Sequence, residues 1–509
     1  MKPETIRNQP AVQAGSPGQA VGVGQEVGGV HSSDELSGLD LWALNPETRA
    51  YLKTARRDAA CSHASQRSKG AGDGSREITT PEKLRKLQRA LYRKAKAEPE
   101  HRFWSLYSEM TRGDLLAYAL ELVVANDGAP GVDGQSLDAI TANWQSRNQW
   151  LEALQHELQT QTYRPSPVRR VYIPKPDGGQ RPLGIPTVKD RVVQMAALLV
   201  LAPIFEADFH PHSYGFRPKR NAHQALDAII VALRQGKLEV VDADLSKYFD
   251  TIPHPRLVQL LARRISDGSI LHLLRQWLDV PIVEEERDGR RRLLPNRQGV
   301  PQGGVISPLL ANLYLHALDG AVNDPQEPGQ PVLVRYADDF VILCAPGQAS
   351  QLKTRLQRWL EARGLQLNPE KTRTIHSREG FRFLGFSVRW QRSRRSGRAY
   401  AHIEPHAKSQ QRLRDKVRGL LNHWTLHRPI TEAVDEVNTL LRGWCGYFHY
   451  RQSTRVFNDI QHWVRDRLRR WLWRKHNRTK ALWTDYPNGR LHGHYGLWRL
   501  PTHVSWKTH

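Results

Sequence analysis

The apolar and polar positions of the chain switch between a helical and a strand rhythm. Residues 81–99, PEKLRKLQRALYRKAKAEP, repeat their apolar positions at helical spacing and leave a basic face. Residues 101–126 predict a second helix, and the turn-rich run from Gly128 to Gly134 ends this helical region. Further on, VYIP and RPLGIP read as short strands bracketing a Pro-Asp-Gly-Gly turn, a hairpin with Lys175 and Arg181 on its two arms. Val188 to Phe205 predicts a buried helix, and Ser213 to Pro218 a loop. Helices are also expected over Leu309–Val322 and, with an amphipathic pattern, over Gln351–Arg363. A strand pair follows, ending in Phe383-Leu384-Gly385-Phe386.

Two places break the strand rhythm with acids. Val332 to Cys344, VLVRYADDFVILC, is a pair of apolar runs around Tyr336-Ala337-Asp338-Asp339, which suits two buried strands and a tight turn. Adjacent carboxylates repel, and a divalent cation such as Mg²⁺ would relieve them. The alternative is a surface hairpin whose Asp pair favours turn geometry alone. Glu239 to Ile252, EVVDADLSKYFDTI, reads as a strand in which Asp242 and Asp244 interrupt Val240, Val241, Ala243 and Leu245. Aspartate is depleted in strand interiors, so Asp244 is expected at the strand's C-terminal end, where it can converge with Asp338 and Asp339. Phe249 would be an aromatic beside that site or a plain core residue. Gln298 to Pro308, QGVPQGGVISP, offers glycines for close backbone approach and the amide of Gln302.

Charge sharpens the picture. Lys and Arg outnumber Asp and Glu by 75 to 51 over 509 residues, a formal charge of +24 that favours a polyanionic partner. The longest apolar run, Met195 to Phe205, is too short to span a bilayer, so nucleic acid is preferred to membrane. Cys61, Cys344 and Cys445 are far apart and give neither a disulfide framework nor zinc spacing, which suits a reducing, cytoplasmic setting. Residues 1–40 are rich in Gly, Gln, Ser and Val with almost no large apolar residues, and 1–80 is expected to be mostly disordered, with a candidate short element at Leu39–Leu52. In the C-terminal third, Arg389–Arg418 holds ten Lys or Arg against two acids. Gln461–Lys480 holds eight against one, interleaved with Trp463, Trp471 and Trp473. Such a composition suits a surface that grips phosphates and stacks bases, or a helical domain whose tryptophans fill its own core.

The ordered series RPLGIPT, SYGFRP, ADLSKYFD, PQGGVISP, YADD, LNPEKT and FLGF resembles the reverse transcriptases encoded in bacterial group II introns, over roughly Thr80 to Lys480. The resemblance implies an α+β right-hand polymerase: fingers, a palm with a small antiparallel sheet and the YADD hairpin, then an α-helical thumb or maturase domain. The expected boundaries are a tail at 1–80, N-terminal extension and fingers at 81–235, palm at 236–390, thumb at 391–480, and a short tail at 481–509 without a nuclease domain. By the same resemblance, Asp244, Asp338 and Asp339 with the Leu245 carbonyl bind two Mg²⁺ ions, and Lys175 and Arg181 hold the incoming triphosphate. Phe249 excludes a ribose 2′-hydroxyl, Gln302 positions nucleotide and template, and Lys371 protonates the leaving pyrophosphate. The expected activity is RNA-directed DNA synthesis from dNTPs on an RNA template with a DNA primer. The expected second role is binding of a group II intron RNA, through Arg465, Arg467, Arg469 and Arg470 among others. A maturase without working polymerase, and a related reverse transcriptase in defence or repair, are the competing readings. Oligomeric state is open.

Overall fold

The computed structural model describes residues 78–174, 179–285, 290–323, 329–477 and 482–501. The expectations for residues 1–77 of the N-terminal tail, the Leu39–Leu52 element, Cys61 and Lys175 fall outside these residues. The first expected helix forms over Glu82–Ala97. The second is broken in two, Leu106–Met110 and Gly113–Asn126, because Arg112 leaves the helical backbone and bonds Glu109 on one side and Asp114 on the other. The buried helix runs from Val188 to Asp208 with almost every residue enclosed. Thr187 caps it, accepting from the backbone N–H of Asp190.

Eleven strands make three sheets among the described residues. β1 (Val168–Pro174) and β2 (Gln180–Ile185) are the expected hairpin, in register from Arg169 opposite Ile185 to Pro174 opposite Gln180. β3 (Glu239–Ala243) lies in a second sheet, while β4 (Ile282–Glu285) and β5 (Arg291–Leu294) return to the hairpin and complete a β2-β1-β4-β5 sheet. Both strands thus sit with the basic hairpin, although a division at 235 assigns them to the next domain. β6 (Val332–Tyr336), β7 (Asp339–Cys344) and β8 (Arg373–His376) join β3 in an antiparallel sheet ordered β6-β7-β3-β8. β9 (Phe381–Phe383), β10 (Phe386–Arg392) and β11 (Ala399–Pro405) form the third sheet. Leu384 and Gly385, both at positive φ, make the turn from β9 to β10. The FLGF stretch is therefore a hairpin corner and not a strand end. A palm–thumb boundary at 390 cuts through β10; the helical region begins after β11, with Ala407–Leu420.

The central sheet separates two cores, and its alternation decides which side chain enters each. Val241, Ala243, Leu333, Phe340 and Ile342 face the core built around the Val188–Asp208 helix. Val240, Val334, Val341 and Leu343 face the other, shared with Ala222–Arg234 and the C-terminal helices Ile430–Phe448 and Thr454–Lys475. Buried on both faces, β7 reads as an unbroken apolar run because it has no solvent side.

Candidate active site

β3 stops at Ala243, which leaves Asp244 just past the strand end. There the LNPEKT stretch takes over its backbone: the N–H of Asn368 donates to the Asp244 carbonyl at 2.7 Å, and Ser246 N–H to the Gln366 carbonyl at 2.9 Å. Across the sheet, Tyr336 pairs with Asp339, so Ala337 and Asp338 form a two-residue turn. Ala337 has φ 59°, a conformation usually given to glycine at the first position of such a turn. Because Ala243 pairs with Phe340, the end of β3 lies beside this turn. Asp244, Asp338 and Asp339 thus gather at one end of one sheet.

The electrostatics show how crowded that end is. Burial, followed by the charges of Asp338, Asp242 and Asp244, pushes the Asp339 carboxyl up to about 7, although its outer side opens to solvent. Burial also pushes Asp242 up to about 6, against the pull of Arg373 and Arg382. Asp338 is raised by burial and by Asp244, with Arg181 and Arg335 acting in the opposite direction. Strand alternation places Asp242, Asp244 and Asp339 along one cleft of about 270 Å³, whose far wall includes Arg373, Arg382 and Arg412. Asp338, at the second position of the turn, is close enough to Tyr248, Arg181 and Asp244 for their charges to interact. Among the described residues, groups of three metal-binding side chains already at ligating distance are not found. An oxygen-only, mutually repelling set still fits Mg²⁺, which is commonly held by one or two carboxylates with substrate phosphates completing its shell.

The other expected residues surround this end. Arg181 stands exposed on β2 opposite Ile173, close enough for its charge to act on Asp338. Lys371 reaches Asp244, Nζ to Oδ2 at 3.4 Å. The Leu245 side chain is buried, and its backbone bridges to Leu367. Phe249 lies in the short helix Tyr248–Thr251, half-buried and edge-on to Tyr248 at 5.5 Å between ring centroids. Gln302 turns its side-chain amide N–H toward Asp250, at 3.4 and 3.5 Å from the two carboxylate oxygens, and its backbone carbonyl accepts from Gly184 N–H at 2.6 Å. Val300 N–H donates to the Phe249 carbonyl, again at 2.6 Å. The PQGG loop is therefore sewn to both β2 and the Phe249 helix. At Gly303 a Cβ would sit 2.4 Å from the Gly184 carbonyl oxygen, so only glycine fits that seam.

The arginines of the Thr454–Lys475 helix divide. Arg470 is exposed, while burial and the neighbouring charges of Arg474, Arg418 and Arg470 hold Arg467 below the usual arginine range. Arg465 donates to His492 Nε2 at 2.9 Å. Arg469 corrects the expectation of a phosphate contact: it is only 1% exposed, donates to the Tyr486 carbonyl, Asp466 and Asn488, and lies 3.9 Å over the Trp483 ring. Trp471 is core, and Trp463 and Trp473 are half-buried, whereas Trp424 and Trp483 are exposed. Sequence reasoning passes over Asp242 as a wall of the cleft, although its two-residue spacing from Asp244 is a signal for a shared face. It also gives no role to Asp250, Arg335 or Arg382.

The same stretches carry a likeness to known proteins. Residues 173–388 match the family described as reverse transcriptase (RNA-dependent DNA polymerase), and residues 410–486 match the group II intron, maturase-specific domain. The chain is 36% identical to protein YkfC of Escherichia coli over 353 residues, 61% of this chain and 90% of that one. It is 27% identical to the group II intron-encoded protein LtrA of Lactococcus lactis over 449 residues, 71% of this chain and 72% of that one. A solved telomerase from Candida albicans, in complex with a fragment of telomeric RNA, covers 66% of each chain at 13% identity. Its TM-score of 0.37 is too low to add to the fold argument. No helix among the described residues is long and apolar enough to cross a membrane. An α+β polymerase fold with its acids at the end of the central sheet, followed by a maturase-specific helical region, makes this chain a member of the group II intron-type reverse transcriptases, RNA-directed DNA polymerases.

Proposed function

We propose that the carboxylate end of the central sheet extends a DNA primer on an RNA template from dNTPs, with Asp244, Asp338, Asp339 and the Leu245 carbonyl holding two Mg²⁺ ions. When bound there, the ions supply charge neutralisation of the triphosphate and activation of the primer 3′-hydroxyl. Arg181 takes the triphosphate together with Lys175, which lies outside the described residues, and Phe249 underlies its sugar. Gln302 fixes nucleotide and template, held by Asp250 and by the seam to β2. Lys371, beside Asp244, donates the proton to the leaving pyrophosphate. The observation that carries the reading is the mutual crowding of four acids at one strand end, with Arg181 brought over from the neighbouring sheet. The C-terminal helices bind the group II intron RNA and assist its splicing and mobility; the cluster of Arg418, Arg467, Arg470 and Arg474 supports this. The free thiols of Cys344 and Cys445, both buried, suit the cytoplasm.

Extension of a primed RNA template in Mg²⁺ tests the catalytic part. Asp244→Asn and Asp338→Asn should each lower the rate by on the order of 10³-fold or more, the kinetic equivalent of several kcal/mol of lost charge stabilisation. Near-normal extension by Asp338→Asn would remove that residue from the metal site.

A further inference from the structure

The turn that carries Asp338 is held from beneath by an arginine with no solvent exposure. Arg335, on β6, donates from Nε to Asp319 Oδ1 at 2.7 Å and from Nη2 to Asp319 Oδ2. Its Nη1 donates to Asn312 Oδ1 at 2.8 Å and to the Ala337 carbonyl at 2.9 Å. Asn312 in turn donates to the Gly215 carbonyl at 2.8 Å. Gly215 is pressed so closely on the turn that a Cβ there would lie 2.3 Å from Ala337 N. The backbone of Arg335 is pinned as well, donating to the His212 carbonyl and accepting from Tyr214 N–H. The SYGFRP loop thereby lies along β6 as a short parallel bridge, Ser213 to Arg335. Arg217, 3% exposed, braces the loop from behind against Glu206 and the His210 and Ser213 carbonyls.

Stability alone does not account for this construction, since a buried ion pair is often no better than apolar side chains of the same volume. The bond to Ala337 has a more specific effect. An alanine in the left-handed region is disfavoured by about 1–2 kcal/mol. A hydrogen bond from a charged donor contributes about 1.5–3 kcal/mol, enough to offset that strain. We propose that Arg335, fixed by Asp319 and Asn312, is the positioning residue of the catalytic turn, holding Ala337 in its left-handed conformation and so aiming Asp338. The inference rests on the reading of Asp338 as a metal ligand, and it gives the SYGFRP loop a purpose: it is the outer half of the same clamp.

Four variants test it: Arg335→Lys, Arg335→Met combined with Asp319→Leu, and each of these with Ala337→Gly added. Two readouts are needed, Mn²⁺ binding by the free protein, followed by electron paramagnetic resonance of the unbound ion, and kcat of primer extension. Arg335→Lys cannot make the four bonds at once, so Mn²⁺ affinity and kcat should each fall about 10–100-fold, as loss of an orienting partner commonly does. Affinity for RNA should stay within about twofold, because the phosphate-facing arginines are elsewhere. Glycine reaches φ 59° unaided, so Ala337→Gly should recover much of both losses. Should Arg335→Lys fail to fold, the Met/Leu pair, which strands no buried charge, carries the test. Unchanged Mn²⁺ binding and kcat in folded Met/Leu protein overturn the proposal, as does a loss that Ala337→Gly leaves untouched. A wild type that neither binds Mn²⁺ nor extends a primer overturns the parent reading; a competent wild type beside unchanged variants overturns this one alone.

Discussion

The acidic end of the central sheet and the arginine-rich face of the last long helix pose the same electrostatic problem with opposite sign. At the sheet end, burial and neighbouring acids raise Asp338 and Asp339. On the helix, burial and neighbouring arginines lower Arg465 and Arg467. Each region crowds like charges, which under the proposed function a cation relieves in one case and a polyanion in the other. They differ in how the backbone distributes the charges. A strand has two faces and a definite end, so acids near the end of β3 and at the β6–β7 turn have few places to go. A helix turns about 100° per residue, so adjacent arginines part company. Arg469 is enclosed while Arg470 is exposed.

The largest effect that sharpens this comparison separates the two regions outright. Asp338→Asn, which should abolish extension, should leave RNA affinity and assisted splicing intact. Within the helix the division is nearly as large. Arg469→Ala strands three acceptors and should lower stability by about 2–3 kcal/mol, read as a fall in Tm, since hydrogen bonds to charged groups lie at that level. Replacing Arg418, Arg467, Arg470 and Arg474 with Gln should leave Tm nearly unchanged. RNA affinity should instead fall, and its log–log salt slope flatten by roughly 0.7 per lost phosphate contact. If the quadruple variant binds RNA normally at all salt concentrations, this face is not the RNA surface. If Arg469→Ala keeps its stability and loses RNA, burial has misassigned it.

The same contrast explains which features are legible in the amino-acid sequence. The hairpin at β1–β2, the helix over Val188–Asp208, and the strand ending at Asp244 are legible because period and punctuation are local. So is the convergence of Asp244 with Asp338 and Asp339, since each lies at a strand end that the apolar runs mark. The break at Arg112 is hidden because the apolar period continues through it, and only the bonds of Arg112 to Glu109 and Asp114 reveal it. The pairing of β4–β5 with β1 is a contact across more than a hundred residues, which composition does not encode. Arg335 looks like any polar residue in a strand; its role follows from Asp319, sixteen residues away, and from a turn strain invisible in sequence. Arg469 reads as surface from its company, and Trp471 as either surface or core; the helix turns both inward.

Phe249 asks the same question at the acidic end on a smaller scale: does half-burial make a residue core or wall? It packs on Tyr248 and the surrounding apolar cluster, yet its carbonyl is tied to the PQGG loop that carries Gln302. As a wall beneath the sugar, it rejects a 2′-hydroxyl by bulk alone. Phe249→Ala should then raise ribonucleotide relative to deoxynucleotide incorporation by about tenfold, a difference of roughly 1.4 kcal/mol in kcat/KM. An unchanged ratio with a lowered Tm would return Phe249 to the core.

The smallest effect concerns acid, which should loosen the sheet end through the histidines packed behind it. Burial holds His210 down to about 4 from 6.5, helped by His212, His316 and Arg217 and opposed by Asp319. Burial lowers His212 and His316 in the same direction. The ring has a structural reason to stay neutral: Nδ1 accepts from the backbone N–H of His212 at 3.1 Å, a bond that protonation there abolishes. A depressed histidine takes up its proton more readily in the unfolded chain than in the folded one. Its contribution is therefore intact above pH 6.5 and is lost as pH falls from 6.5 toward 4. At pH 5.5 the loss from His210 alone should be about 1 kcal/mol relative to neutrality, visible as a lower Tm. His210→Asn keeps an acceptor near Nδ1 and cannot gain the proton, so its Tm should change less over the same range. Because His212 also gives its carbonyl to Arg335, the wild type should lose Mn²⁺ affinity and primer extension along with this stability, ahead of RNA binding. A Tm that falls equally steeply in both proteins would place the acid sensitivity elsewhere.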